Sequence, residues 1–399
     1  MRFIGKIVNP WRGLKGIPKN IWLLSAATLI NRSGTMVLPF LALYFTKEMG
    51  VSVSEAGLSL VAFGLGSLIT APLVGRLSDR FGPISIMKLS LFTSGIMLFL
   101  FSFIDNYYIA LGVTFLWSAL SEAFRPANLT FISKETDPLQ RKTAFALNRI
   151  AINLGMSIGP VIGGILAYYN YHLLFYVDGI TSILACGFLI ISPFEKFHEE
   201  EVVDPNQLSP QKIYKDKRFI YYILALLPVE FVFFQHLGAV PIYFVKELHY
   251  TEAIYGVLMA VNTGIIIFVE VPLNSAMSKW RDSSSLALGS LLCSIGFGMM
   301  AFSANIYYLV LSIVVWTFGE MIFFPSSASY LSIIAPKDKV GKYMGYYQMN
   351  FSFSLMFAPW LGAVILDSYG SAFLWGSTFF AASFSAWLLY RLKWKEIQF

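Results

Sequence analysis

The sequence predicts an all-α membrane protein built from two similar six-helix bundles. Of the 399 residues, 56% are hydrophobic and only 13% are charged, which is more apolar surface than a water-soluble domain could bury. Twelve apolar runs each have about 20 residues, the length that crosses a bilayer as a helix. Landmark residues also recur about 199 positions apart, which indicates two pseudo-symmetric halves: Pro72 with Pro272, Trp117 with Trp316, Pro126 with Pro325, and Pro160 with Pro359.

The twelve predicted spans account for most of the chain. Each should be a helix, because hydrocarbon offers no water to open backbone groups, and the alternating pattern of a membrane β-barrel is absent. We expect an N-terminal bundle over residues 1–192, a polar cytoplasmic linker over 193–217 and a C-terminal bundle over 218–399. In order, the spans are 20–46, 52–76, 84–104, 107–133, 141–169, 171–192, 218–246, 252–278, 284–303, 306–333, 340–367 and 371–392.

The basic residues indicate the orientation. Of 29 Lys and Arg, 24 lie in the amino-terminal segment, in the loops after spans 2, 4, 6, 8 and 10, and at the carboxyl end. The positive-inside rule therefore predicts that both termini are cytoplasmic. The net charge of +6 follows from this topology and gives no reason to expect binding to nucleic acid.

The most specific motif is the stretch from residue 75 to 82, GRLSDRFG, between spans 2 and 3. Two glycines allow a tight turn, and a carboxylate there can cap a neighbouring helix. The stretch resembles the signature loop of the major facilitator superfamily, and twelve spans in two halves extend that resemblance over the whole chain. It implies the major facilitator fold and a loop that closes the cytoplasmic side, carried here by Gly75, Asp79, Arg80 and Gly82. The basic pair usual after the second glycine is replaced by Pro83 and Ile84.

Span 5 carries a second motif, in which small residues recur every fourth position around a proline. Such spacing lets two helices approach closely, and the proline can kink the helix. It resembles the glycine-proline motif of antiporters in the same superfamily, many of them drug exporters, and comprises Gly155, Gly159, Pro160, Gly163 and Gly164.

Eight ionisable residues are predicted to lie at membrane depth, where each is costly unless it has partners or a wet cavity. Five of them fall on spans 1, 4, 7 and 10, which line the central cavity in the family that the chain resembles. His236, Asn31 and Asn262 are further candidates for the lining. The eight are Arg32, Glu122, Arg125, Arg149, Asp178, Glu230, Glu270 and Glu320.

The charges differ between the halves. The amino-terminal half holds three arginines close in depth to Glu122, whereas the carboxyl-terminal half holds three glutamates and no buried cation. Because burial favours the neutral form of a carboxyl that has no cation beside it, we expect Glu230 and Glu320 to lack cationic partners and to carry protons. Asp178 and Glu270 are expected to be structural or gating residues.

These features favour a proton-coupled antiporter that exports small amphipathic or cationic molecules, as in multidrug efflux. We expect a monomer in a bacterial inner membrane, with a small-molecule substrate, H+ as coupling ion and no cofactor. The alternative is a proton-coupled symporter of zwitterions such as peptides, because residues 31–34 are similar to the first-helix motif of peptide transporters.

An intramembrane enzyme or a sensor is the least favoured class. The sequence has no paired membrane histidines, no metal-ligand cluster and no serine nucleophile elbow. Cys186 and Cys293 both lie within predicted spans, so no disulfide framework or metal site is expected.

Overall fold

The computed structural model describes residues 14–194, 212–302 and 304–392, and these ranges contain helices and no β-strand. The first half of the chain forms eight helices. The first predicted span is divided into two of them, and so is the fourth. The helices are α1 (Lys19–Ser33), α2 (Val37–Lys47), α3 (Val53–Phe81), α4 (Pro83–Phe101), α5 (Tyr107–Ser121), α6 (Phe124–Glu135), α7 (Pro138–Tyr169) and α8 (His172–Ile191).

The second half forms six further helices. A 3-10 turn at Phe234–Leu237 and a π-helix at Tyr243–Glu247 interrupt the seventh predicted span, on either side of α10. The helices are α9 (Lys217–Phe233), α10 (Ala239–Ile242), α11 (Glu252–Ala276), α12 (Asp282–Met299), α13 (Ile306–Ile334) and α14 (Val340–Tyr390).

Nine candidate membrane spans occur within the described residues, as judged by length and composition. Three local features explain why nine candidate spans are found where the sequence predicts twelve. The fourth predicted span is broken at Glu122, α12 is rich in serine, and the last two predicted spans run into one another in α14. Gly370, with φ 80°, is non-helical and divides α14 where the sequence predicts a turn. The all-helical fold is confirmed, whereas the count of twelve crossings stays a prediction.

Four helix pairs make the main contacts between the halves in the described part of the chain. α3 and α6 pack against α14, and α7 packs against α11 and α13. Between α3 and α14, a Cβ on Gly345 would meet the carbonyl oxygen of Ala71 at 2.5 Å, and a Cβ on Gly75 would overlap the backbone of Gly341. The absence of side chains at these glycines lets the two helices touch backbone to backbone.

Candidate functional site

A cavity of about 430 Å³ lies between the two halves of the chain. Helices α1, α6 and α7 form one wall, and residues from α9, the turn after it, α11, α13 and α14 form the other. Six of the sequence-predicted residues line it: Arg32, Arg125, Arg149, His236, Asn262 and Glu320.

Polar contacts between the halves close one end of the cavity. The carboxylate of Asp79 accepts hydrogen bonds from the backbone N–H groups of Gly341 and Lys342, at 2.7 Å each, at the start of α14. Towards the opposite end, the lining residues Met156 and Leu237 are 47% and 52% exposed. The cavity is therefore sealed at the Asp79 end and accessible from the other.

The loop residues beside Asp79 have distinct positions. Gly82 ends α3 with φ 81°, a left-handed conformation that favours glycine. Gly75 makes the close backbone contact with α14, whereas Arg80 is exposed, with its guanidinium 5.1 Å from the ring of Phe81. The resemblance indicated this loop, but the partner of Asp79 had no signal in the sequence.

A second contact that closes this end of the cavity was not predicted from the sequence. The ammonium of Lys142, at the start of α7, lies 2.6 Å from the carboxylate of Asp282 at the start of α12, and both side chains are buried. Lys142 also donates to the carbonyl oxygen of Trp280 at 2.8 Å. In the sequence, Lys142 is only one of the counted basic residues, although a lysine at the second position of the predicted span 141–169 could have marked it as a gate.

Arg149 joins the two walls. Its Nε lies 2.6 Å from Glu270 Oε1 on α11, and its Nη2 lies 2.8 Å from Glu320 Oε1 on α13. The other oxygen of Glu320 accepts from Asn262 Nδ2 at 3.1 Å. The expectation that Glu320 lacks a partner is wrong, because the long arginine side chain crosses from α7 to reach it. The expected division into a cationic and an anionic wall is bridged at this point.

Arg32 and Arg125 are grouped with Glu122. Arg125 Nε lies 2.8 Å from Glu122 Oε2, and Arg32 Nη1 lies 3.9 Å from Glu122 Oε1. Glu122 caps the end of α5, and Arg125 lies in the first turn of α6, so the break in the fourth span brings them together. Glu122 does not line the main cavity. It lines a second cavity of about 50 Å³ with Asn31 and Asp178.

Asp178 holds a break in the first span. Its Oδ2 accepts from the backbone N–H groups of Met36 and Val37, at 3.1 and 3.2 Å, where α2 begins. Asn31 donates to Ser182, on the same helix as Asp178, at 3.4 Å. These contacts fit the structural role expected for Asp178, since a carboxylate there satisfies N–H groups that α1 and α2 leave open.

Glu230 is separate from both cavities. The residue is 0% exposed, and its Oε2 accepts from Asn350 Nδ2 at 2.8 Å and from Ser354 Oγ at 2.9 Å. Oε1 has no hydrogen-bond partner among the described residues. Glu230 therefore connects α9 to α14 within the second half. Its expected lack of a cationic partner agrees with this environment, but its expected place in the common cavity is wrong.

Aromatic side chains surround His236 at the cavity. Its Nδ1 lies 2.6 Å from the carbonyl oxygen of Phe233, and its ring stacks on Trp316 with centroids 6.0 Å apart. The sequence did not identify Trp316 as a lining residue, because one hydropathy pattern does not show which side of a helix meets the cavity.

The glycines of α7 contact the broken first span. A Cβ on Gly155 would lie 2.5 Å from Arg32 Cβ, and a Cβ on Gly159 would lie 2.8 Å from the carbonyl oxygen of Thr35. Gly163 and Gly164 lie against Met36 and Phe40, and Pro160 is inside α7. This row of glycines lets the backbone at Arg32 lie close to α7.

Comparisons with known proteins agree with this architecture. The family model described as Major Facilitator Superfamily matches residues 21–283 and 236–394. The chain is 25% identical to multidrug resistance protein 1 of Bacillus subtilis, over 80% of this chain and 82% of that protein. It is 23% identical to a Na(+), Li(+), K(+)/H(+) antiporter of Planococcus maritimus, over 87% of this chain and 92% of that protein.

Solved structures share the fold at low identity. The human organic anion transporter MFSD10 superposes with a TM-score of 0.75 at 14% identity, covering 93% of this chain and 100% of that one. The Escherichia coli fucose:proton symporter FucP gives a TM-score of 0.74 at 13% identity, covering 93% and 97%. The resemblance inferred from residues 75–82 is thus confirmed: the chain belongs to the Major Facilitator Superfamily, whose members are multi-pass membrane transporters of small molecules and not enzymes.

Proposed function

We propose that this protein is a proton-coupled antiporter that exports small amphipathic molecules by alternating access. The observation that carries the proposal is the cavity of about 430 Å³, lined by both halves and closed at one end by the contacts of Asp79 and Lys142. Rocking one half against the other would open the end that is closed here and close the end that is open. The relative named multidrug resistance protein 1 supports a drug-like cargo.

Proton coupling is supported by carboxyl groups buried between helices. Glu270 and Glu320 both hold Arg149 across the interface of the halves. A proton on Glu320 would remove the charge that attracts Arg149, and the bond between the walls would weaken. The relative named as a cation/H(+) antiporter agrees with proton exchange. Glu230 supplies a third buried carboxyl, and its Oε1 has no hydrogen-bond partner among the described residues.

The membrane and the orientation are part of the proposal. The proposed protein is a monomer in a bacterial inner membrane, and the basic loops support an orientation with both termini in the cytoplasm. The Asp79 end is then cytoplasmic, and the structure represents an outward-facing state. Release of cargo and entry of a proton would occur from this state.

The symporter alternative has less support. A zwitterion would need Glu320 to receive its amine while an arginine on the other wall received its carboxylate. Glu320 already binds Arg149 and Asn262, so an incoming amine would have to compete with both. Export of an amphipathic molecule requires no such displacement.

The test is exchange in proteoliposomes under an imposed pH gradient, with fluorescent dyes of either charge as cargo. We expect the wild type and the control Glu48→Gln, an exposed residue, to exchange dye for protons. Glu320→Gln should lose gradient-driven exchange and keep dye binding. Undiminished exchange in both Glu230→Gln and Glu320→Gln would reject these carboxyls as proton carriers. Dye movement that ignores the pH gradient would reject proton coupling.

A further inference from the structure

The two walls of the cavity differ in chemistry. The wall from residues 28–157 has eight polar side chains among its 13 lining residues, and three of these are arginines. The wall from residues 233–355 carries seven of the nine aromatic rings that line the cavity. An occupant therefore meets a cationic surface on one side and a mainly aromatic surface on the other, which also carries the polar residues His236, Asn262, Thr263, Glu320 and Gln348.

Two of the three lining arginines are also nearer to the occupant than the anions are, whereas Arg32, whose side chain is 7% exposed, is as buried as Glu320. The side chains of Arg125 and Arg149 are 24% and 18% exposed, whereas Glu122, Glu320 and Glu270 are 10%, 7% and 0% exposed. Of these three glutamates, only Glu320 lines the cavity. The three arginines and the three glutamates have equal and opposite formal charge. The guanidinium groups of Arg125 and Arg149 nevertheless face the open space, and the carboxylates lie behind them. The local potential at the cavity surface is therefore positive.

Arg125 also offers hydrogen-bond donors to the cavity. It uses Nε for Glu122, which leaves the two Nη groups of its fork available, and its side chain is 24% exposed. A cargo that accepts hydrogen bonds can pair with this guanidinium, whereas a cargo that only donates them cannot.

We propose that the cargo is an amphipathic organic anion. Its single oxyanion group accepts hydrogen bonds from Arg125 and Arg32, and its apolar ring system packs against Phe233, Phe234 and Phe351. This inference rests on the proposed function in taking this cavity as the cargo site, and it replaces the cationic cargo expected from the sequence. A cavity of about 430 Å³ falls within the usual range for drug-sized ligands.

The test compares three probes with one ring system and different charge: 2-naphthoate, 2-naphthamide and 2-naphthylmethylammonium. Binding to the full-length protein in phosphatidylcholine nanodiscs is measured by calorimetry, without any ion gradient. We expect naphthoate to bind at least about 10-fold more tightly than the ammonium probe, because a charge-assisted bond to arginine is gained. Arg125→Gln should weaken naphthoate binding about 10- to 100-fold and leave naphthamide unchanged. Arg125→Lys should recover part of the loss.

The control is Arg391→Gln, which removes an exposed arginine at the end of the last helix, outside the cavity. It should bind naphthoate as the wild type does. Equal or tighter binding of the ammonium probe, absence of naphthoate binding, or an Arg125→Gln variant of unchanged Tm that binds naphthoate normally would overturn the inference. Displacement of naphthoate by phosphatidylglycerol would support it and would identify a lipid head group as the source of the anion.

The outcomes separate this inference from the proposed function. Naphthoate that binds as expected but is not exchanged for protons would support the anionic site and reject the antiporter. Proton-driven export of the ammonium probe without export of naphthoate would support the antiporter and overturn the anionic cargo.

Discussion

Asp79→Asn should open the end of the protein that is closed in this structure. The aspartate accepts two backbone N–H groups, from Gly341 and Lys342, at 2.7 Å each. A hydrogen bond to a charged group contributes about 1.5–3 kcal/mol, and a neutral one about 0.5–1.5 kcal/mol. Asparagine keeps one acceptor oxygen and turns its amide NH2 towards the other N–H. It also loses the favourable interaction of an anion with a helix N-terminus.

The free-energy difference that favours the closed state over the open state should therefore be about 2–4 kcal/mol smaller in Asp79→Asn than in the wild type. Since about 1.4 kcal/mol is a factor of ten, the ratio of closed to open molecules should fall about 30-fold or more. The contact of Lys142 with Asp282 remains in the variant and limits the change. The protein should therefore populate both states, and it should not unfold.

Single-molecule FRET between Leu139→Cys and Tyr214→Cys measures this opening. Both positions are exposed at the Asp79 end: Leu139 is in the first turn of α7, and Tyr214 is in the linker, three residues before α9 of the second half. The native Cys186 and Cys293 are buried. We expect a second, longer-distance population in Asp79→Asn. The control Asp105→Asn removes the same charge from an exposed loop at the opposite end and should match the wild type. Identical distance distributions in all three proteins would refute the reasoning.

Three further variants test the packing around the site. Lys142→Met should lower the free energy of unfolding by about 3–5 kcal/mol because Asp282 loses its buried cation, and the double variant with Asp282→Leu should recover most of the Tm. Gly155→Ala should cost about 1–3 kcal/mol by overpacking against Arg32, whereas Gly187→Ala, with open space around it in the interior of α8, should leave the Tm unchanged or raise it slightly. Asp178→Ala should cost about 1–3 kcal/mol for each N–H left open, at Met36 and Val37, and Asp178→Asn should cost less. A Tm for Gly155→Ala equal to that of Gly187→Ala, or no recovery in the double variant, would contradict the contacts described.

The positions of the helices along the chain were predictable because lipid permits few alternatives. Every backbone group at membrane depth must be satisfied within a helix, so hydropathy alone locates the spans. Hydropathy does not depend on backbone angles, and for that reason it missed the breaks after Ser33 and after Ser121 and the irregular turns from Phe234 to Glu247. Each break lies beside a cavity-lining residue: Arg32, Arg125 and His236.

The partners of the buried charges were not predictable for a geometric reason. A position in a helical span gives its depth, at about 1.5 Å per residue, but successive residues turn about 100° around the axis. Arg149 has a depth similar to that of Glu122, yet it contacts Glu270 and Glu320 across the interface. Asp79 was recognised through its motif, whereas its partners are backbone N–H groups that have no signature in a sequence.

Three of the polar contacts that join the halves differ in how they can respond to an occupant. The contacts of Asp79 and of Lys142 do not line the cavity, so an occupant cannot change them directly. Arg149 and Glu320 do line it, and their bond crosses from one half to the other. A ligand shifts a conformational equilibrium only by interacting differently with the two states. In the proposed mechanism, the proton would act through the bond of Arg149 to Glu320, and a cargo on the neighbouring Arg125 and Arg32 would act from the same cavity surface. Asp79 and Lys142 would determine how far the equilibrium lies towards closure before either one binds.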